Sequence, residues 1–213
     1  MKTDDLVAML ATGALPVPRR LATRRLRQAV VLGLPVSAAI MLLEYGVRPD
    51  LREALSWPMF WVKLLFPLAV AGAGFVAVQR LARPGVPVGK AGLALLLPVL
   101  LVWALALLVW SGAPADTRAE LLWGSTWRSC VFSIGLMALP VFVAALVALR
   151  GLAPTRPAWA GAAAGALAGG AGAAVYALHC PELAAPFLAV WYVAGMGLPM
   201  LLGAVLGPRL LRW

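Results

Sequence analysis

Charge is what this sequence has least of. Only 12% of its 213 residues are Asp, Glu, Lys or Arg, against about 25% in an average soluble domain. Hydrophobic residues make up 63%, more than the interior of one domain this size can hide. That surplus argues against a free-standing soluble enzyme, and it excludes intrinsic disorder from the same side. Acidic residues are scarcer still, 8 against 18 basic ones, leaving a net charge of +10. Such a balance invites a nucleic-acid reading, yet no helix-turn-helix pattern, zinc site or aromatic platform accompanies the basic residues, so no direct nucleic-acid partner is expected. Soft metal donors are few: two Cys and one His. No Cys-x-x-Cys pair exists, which disfavours a thiol-oxidoreductase relay. Period-2 alternation is missing as well, so a membrane β-barrel is not expected.

What the chain does have is long apolar runs. A spanning helix needs about 20 mainly apolar residues, and six runs qualify: Gln28 to Tyr45, Phe60 to Val78, Ala91 to Trp110, Ser129 to Leu149, Ala158 to Leu178 and Ala184 to Gly207. The short connections between them carry turn formers such as Arg83-Pro84-Gly85 and Cys180-Pro181. The expected fold is all-α: a polytopic membrane protein with six transmembrane helices. Residues 1–27 form an arm and residues 28–213 a six-helix transmembrane domain.

The distribution of Lys and Arg orients the bundle. The N-terminus, the second and fourth connections and the C-terminus hold 13 of the basic residues, and the other side holds 5. Both termini are therefore expected on the cytoplasmic side of a membrane that the chain crosses six times. No cleavable signal peptide is expected, since the first ten residues contain Asp4 and Asp5 and no long apolar run. Trp57, Trp61, Trp110, Trp123 and Trp127 cluster towards the outer interface as an aromatic belt would.

Ionisable groups are absent from the middle of every run, which argues against a proton-coupled pump. Glu44 and Lys63 sit at outer ends, where snorkelling to the interface is expected and an ion pair between them is the alternative. Pro35, Pro67, Pro98, Pro140 and Pro199 fall inside runs and read as kinks in a packed bundle or as hinges. Gly161, Gly165 and Gly169 recur on one face of the fifth run, with Gly203 and Gly207 repeating the spacing in the sixth. Such spacing lets helix backbones approach closely; packing within the chain is expected, and the oligomeric state stays open.

Both cysteines fall at outer ends, Cys130 opening the fourth run and Cys180 closing the fifth. His179 adjoins Cys180, and Glu182 follows two positions on. Two thiolates, an imidazole and a carboxylate can hold a soft metal ion transiently, although their spacing matches no zinc pattern. Three readings stay open: a structural disulfide, a redox- or metal-responsive thiol pair, and two unrelated thiols. No permanently bound cofactor is expected.

The arm divides in two. Thr3 has the form of an N-cap, and Asp4 and Asp5 favour a first helical turn. Leu6, Met9 and Leu10 then share a face at i, i+3, i+4, and Pro16 and Pro18 end the helix. A helix this short is marginal alone and needs a partner or a surface to dock on. Arg19, Arg20, Arg24, Arg25 and Arg27 follow. They serve orientation and contact with the lipid bilayer, or else an acidic partner.

Several segments together resemble the NrsF family of bacterial membrane anti-sigma factors. They are Met1-Lys-Thr-Asp-Asp-Leu-Val-Ala-Met-Leu10, Val47-Arg-Pro-Asp50, Pro58-Met-Phe-Trp-Val-Lys63, Gly124-Ser-Thr-Trp-Arg128 with Cys130, and Tyr176-Ala-Leu-His-Cys-Pro-Glu182. The resemblance covers essentially the full length. It implies a regulator rather than an enzyme, multi-pass in the bacterial inner membrane, that holds an extracytoplasmic-function (ECF) sigma factor inactive. It also implies that the cytoplasmic segment from Thr3 to about Gly13 binds the sigma factor. Cys130 and Cys180 would then serve the response to heavy-metal or oxidative stress. Two other classes remain beside it: a small-solute transporter or channel, and a membrane scaffold with a structural disulfide.

Overall fold

A computed structural model describes residues 3–12 and 20–212. Arg19, Pro16 and Pro18 of the arm lie outside the described residues, as does Gly13. The short helix α1 runs over Thr3–Ala11, and every one of its residues is exposed. Nine further α-helical segments follow among the described residues: α2 (Leu21–Glu44), α3 (Leu51–Ala54), α4 (Pro58–Leu81), α5 (Lys90–Gly112), α6 (Arg118–Trp123), α7 (Trp127–Arg150), α8 (Pro157–Tyr176), α9 (Ala185–Phe187) and α10 (Val193–Leu210). A π-helical turn, Leu188–Tyr192, joins α9 to α10. No strand occurs among the described residues. Six helical stretches are long and apolar enough to cross a membrane: α2, α4, α5, α6 running into α7, α8, and α9 through α10.

The first long helix begins at Leu21 rather than Gln28, so Arg24, Arg25 and Arg27 stand on its opening turns. Ala22, Leu26, Ala29 and Gly33 are buried at helical spacing on one face, and this stripe carries the helix past the end of the apolar run. Arg25 Nη1 donates to the Gly151 carbonyl at 3.0 Å, tying that turn to the connection after α7.

Helix α8 is the axis of the bundle. Of its most apolar window 89% is buried, against 11% for α5 at the periphery. An Ala- and Gly-rich helix can hold that position because neighbouring backbones can reach it from several sides. A Cβ on Gly170 would lie 2.5 Å from the Pro67 carbonyl oxygen in α4. One on Gly172 would lie 2.5 Å from the Ala138 nitrogen in α7, and one on Gly169 2.6 Å from the Met196 carbonyl oxygen in α10. Gly161 meets Gly203, and Gly165 meets Pro199. The glycine repeat is thus consumed in packing within the chain. Helix α2 lies on α7, with Gly33 against Val141, and α5 lies on α4 and α9.

Two apolar cores result. One holds Leu26, Val78, Leu81, Val141, Leu149 and Leu211, at the end where the basic connections after α4 and α7 lie. The other holds Cys130, Ile134, Met137, Tyr176, Cys180 and Tyr192 at the opposite end.

Candidate functional site

The cysteine end is built by three pieces of chain that meet over the end of α8. Pro181 stops the fifth long helix, because it offers no N–H and disfavours helix before it. The segment Leu178–Glu182 then crosses the top of the bundle, with the Cys180 N–H still donating to the Tyr176 carbonyl at 3.0 Å. From the connection after α2, the Arg48 N–H donates to the Leu178 carbonyl at 3.1 Å and Arg48 Nη1 to the Cys180 carbonyl at 3.4 Å. From α4, the Lys63 ammonium donates to the Cys180 carbonyl, and also to the Glu182 carbonyl at 2.8 Å.

Lys63 does not snorkel. It is fully buried, and its partners are carbonyls rather than Glu44. Position 63 lies on the inward stripe of α4 with Phe60, Pro67, Val70 and Gly74, so its side chain points into the bundle. A buried ammonium is costly unless its protons are met. Here two carbonyls meet them, and the Tyr192 ring lies with its centroid 5.5 Å from Nζ.

Arg48 is also buried, and it grips Asp50 with a bidentate pair of 2.7 and 2.8 Å, the one ion pair among the described residues. The hydrogen bonds from Arg48 hold the Asp50 carboxyl below its ordinary range, and the same bonds hold the Arg48 guanidinium above its own.

The two thiols lie in one buried cluster, both fully inaccessible and both free. Thr126 Oγ1 lies 3.9 Å from Cys180 Sγ. The π-helical turn aims Tyr192 into the same cluster, where its buried hydroxyl has no hydrogen-bond partner among the described residues. Cys180, Cys130 and Tyr176 lie around Tyr192, together with the Lys63 ammonium over its ring.

The other two candidate ligands are not gathered with the thiols. His179 Nδ1 is paired with the Gly46 carbonyl at 3.0 Å, and its ring stacks against Tyr45 with centroids 5.1 Å apart. The Glu182 carboxylate accepts from the Ser125 N–H at 2.7 Å and from its hydroxyl at 2.6 Å. Gly124 makes that approach possible: its φ is +53°, and a Cβ there would meet the Glu182 carboxylate. Among the described residues no three of His, Cys, Asp and Glu are placed to share a metal ion. His179 and Glu182 instead brace the loop that carries Cys180.

Arg48 and Lys63 fall in segments that carry the family resemblance, but the sequence places Lys63 at the interface and gives Arg48 no role of its own, and Tyr192 sits unmarked in an apolar run. Tyr45 is a fourth link: its hydroxyl meets Ser133 Oγ at 3.0 Å, tying α2 to α7 one turn from Cys130. Nearby, the rings of Trp123, Trp127 and Trp191 pack together with centroids 4.9 to 5.5 Å apart, and Trp191 Nε1 donates to the Leu122 carbonyl at 2.9 Å.

At the other extreme, α1 exposes its predicted contact residues: Met9 and Leu10 at 60% and 69%, with Thr3, Asp4, Asp5 and Leu6 exposed too. Val7, which is not among them, is 60% exposed beside them. Of the basic run, Arg20, Arg24 and Arg27 are exposed, Arg25 is half-buried with its guanidinium on the Gly151 carbonyl, and Arg19 lies outside the described residues.

An all-helical bundle with an exposed amphipathic arm and a buried thiol pair is the setting in which the comparisons fall. Residues 10–213 match the family model described as "Negative regulator of sigma F", NrsF, and the chain belongs to that family. Two curated relatives match over the whole of both chains. A protein of Azospira oryzae named "Probable anti-sigma-F factor NrsF" is 46% identical over 213 residues. One of Caulobacter vibrioides named "Anti-sigma-F factor NrsF" is 42% identical over 221 residues. No solved structure matches the chain.

Proposed function

We propose that this chain is an anti-sigma factor of the bacterial inner membrane that acts by binding and not by catalysis. In this reading the bundle spans the membrane six times, with both termini in the cytoplasm. The arm, with α1 at its heart, holds an ECF sigma factor away from RNA polymerase. Reaction of Cys130 and Cys180 with a heavy-metal ion or an oxidant, on the periplasmic side, releases it. Full-length identity with anti-sigma-F factors is the observation that carries this reading. The exposed apolar face of α1, which a nine-residue helix does not sustain alone, supports the role of the arm.

A switch of this kind needs a stimulus that favours one state over the other. Moving the arm from mostly bound to mostly free takes roughly 5 kcal/mol of differential binding. A thiolate–metal site or a new disulfide is of that order. Either would pull on the Leu178–Glu182 segment, which Arg48 and Lys63 connect to the first connection and to α4.

Deletion of residues 1–12 tests the reading. The shortened protein is expected to remain in the membrane fraction while the sigma factor becomes active without stress. Retained repression by the shortened protein contradicts it.

A further inference from the structure

The basic end carries a groove that the anti-sigma reading does not use. It runs between α5 on one side and α8 and α10 on the other, with a volume of about 590 Å³. Ala77 and Leu81 of α4 form its floor, Leu93 and Leu96 one wall, and Trp159 and Met200 the other. Along α8 it extends from Arg156 to Ala163, about 10 Å of helix. Its body is apolar, and its mouth is cationic. Arg156 lines the mouth directly. Arg80 does not line it but lies beside it: Nε donates to the Pro87 carbonyl at 2.9 Å, and the guanidinium lies against Gly89 of the lining.

Among the described residues neither guanidinium has an ion-pair partner. Apart from Asp4 and Asp5 in α1, the acidic residues of the chain are Glu44, Asp50, Glu53, Asp116, Glu120 and Glu182, all in segments at the cysteine end. Trp159 is 63% exposed beside Arg156, an amphipathic ring at the level where an apolar wall gives way to charge. An apolar slot with Arg156 in its lining and Arg80 beside it complements one kind of molecule in a bilayer, an acyl chain below a phosphate. Guanidinium groups suit phosphate in geometry as well as charge.

We propose that this groove is a binding site for an anionic phospholipid, whose phosphate lies between Arg156 and Arg80 and whose acyl chain lies along α5, Trp159 and Met200. A basic pocket between membrane helices recognises headgroup charge in this way. Bound there, the lipid fills the gap between peripheral α5 and central α8 and joins the two. The inference rests on the helices spanning a membrane and is independent of the sigma-factor reading.

The test is native mass spectrometry of the full chain in detergent, equilibrated with equal amounts of phosphatidylglycerol and phosphatidylcholine. Recovery of the chain in the membrane fraction before extraction checks the membrane reading separately. Wild type is expected to retain phosphatidylglycerol in preference. Arg156→Gln, at an exposed position, is expected to lower that preference about fivefold. Gly92 lines the slot, and a Cβ there makes only ordinary contact with the Val88 side chain, so Gly92→Trp fills the slot and should lose both lipids with Arg156 intact. Equal retention of the two lipids by wild type overturns the proposal, as does an unchanged preference in Arg156→Gln. Greater lipid retention after deletion of residues 1–12 also overturns it, by making the arm the natural occupant of the groove.

Discussion

The ammonium of Lys63 in α4 donates to the carbonyl of Cys180, in the segment that follows the end of α8. One side chain therefore joins the second long helix to the loop that carries a candidate sensor thiol. The backbone of Cys180 is held from two directions, by Lys63 and by Arg48, while its thiol lies among Thr126, Tyr192 and Cys130.

Lys63→Met removes the clamp without emptying the space. It leaves the Cys180 and Glu182 carbonyls without their donor, at a cost of about 1–3 kcal/mol for each buried group left unmet. The expected result is a lower unfolding temperature in detergent and faster alkylation of Cys180 by a small maleimide in membranes. Alkylation at the wild-type rate would show that Lys63 does not restrain the loop.

The Arg48–Asp50 pair predicts a dependence on pH with a definite sign. Asp50 is held below its ordinary value of 3.8 by the hydrogen bonds of Arg48. Its contribution is therefore fully present at neutral pH and is lost as the pH falls through that depressed value. Thermal unfolding followed between pH 7 and pH 3 should show a fall at the acid end that is smaller in Asp50→Asn. An identical pH profile in the variant would remove the pair from the account.

Gly170 and Gly72 form a controlled comparison of packing. A Cβ on Gly170 meets the α4 backbone at Pro67, which cannot rotate away, whereas nothing lies within 4 Å of one on Gly72. Gly170→Leu should cost more than the 1–3 kcal/mol usual for overpacking, because backbone must move. Gly72→Ala should be neutral or slightly stabilising, since Ala is the better helix former. Both are read as unfolding midpoints in detergent.

Cys130→Ser and Cys180→Ser separate a sensor from a scaffold. The thiols are free in the structure, so replacing either should leave the abundance of the protein near normal. The response of the sigma factor to metal or oxidant should disappear in both. Loss of abundance with an unchanged response would assign the cysteines to stability alone.

The six long helices are legible in the sequence because length and apolarity suffice to mark them. Their ends are less so. Arg24, Arg25 and Arg27 look like a loop by charge, but Leu26 between them is buried and draws the helix back to Leu21. Lys63 looks interfacial by position along its helix, and position says nothing about face. The signal was present, since residue 63 is in phase with Pro67, Val70 and Gly74 on the inward stripe. The cysteine pair was legible from topology, whereas the partners of His179 and Glu182 were not. Those depend on Gly46 and Ser125, which only the folded loops bring near. The π-helical turn that aims Tyr192 inward has no counterpart in periodicity.

The central claim is that the arm holds a sigma factor and that chemistry at the thiols lets it go. Affinity capture of the full-length protein from membranes, with and without cadmium, chromate or peroxide, tests both halves at once. The account predicts co-purification of a sigma factor from unstressed cells and its loss after stress, with no loss in Cys130→Ser or Cys180→Ser. Capture that is equal under all conditions in the wild-type protein, or capture that survives deletion of residues 1–12, would contradict it.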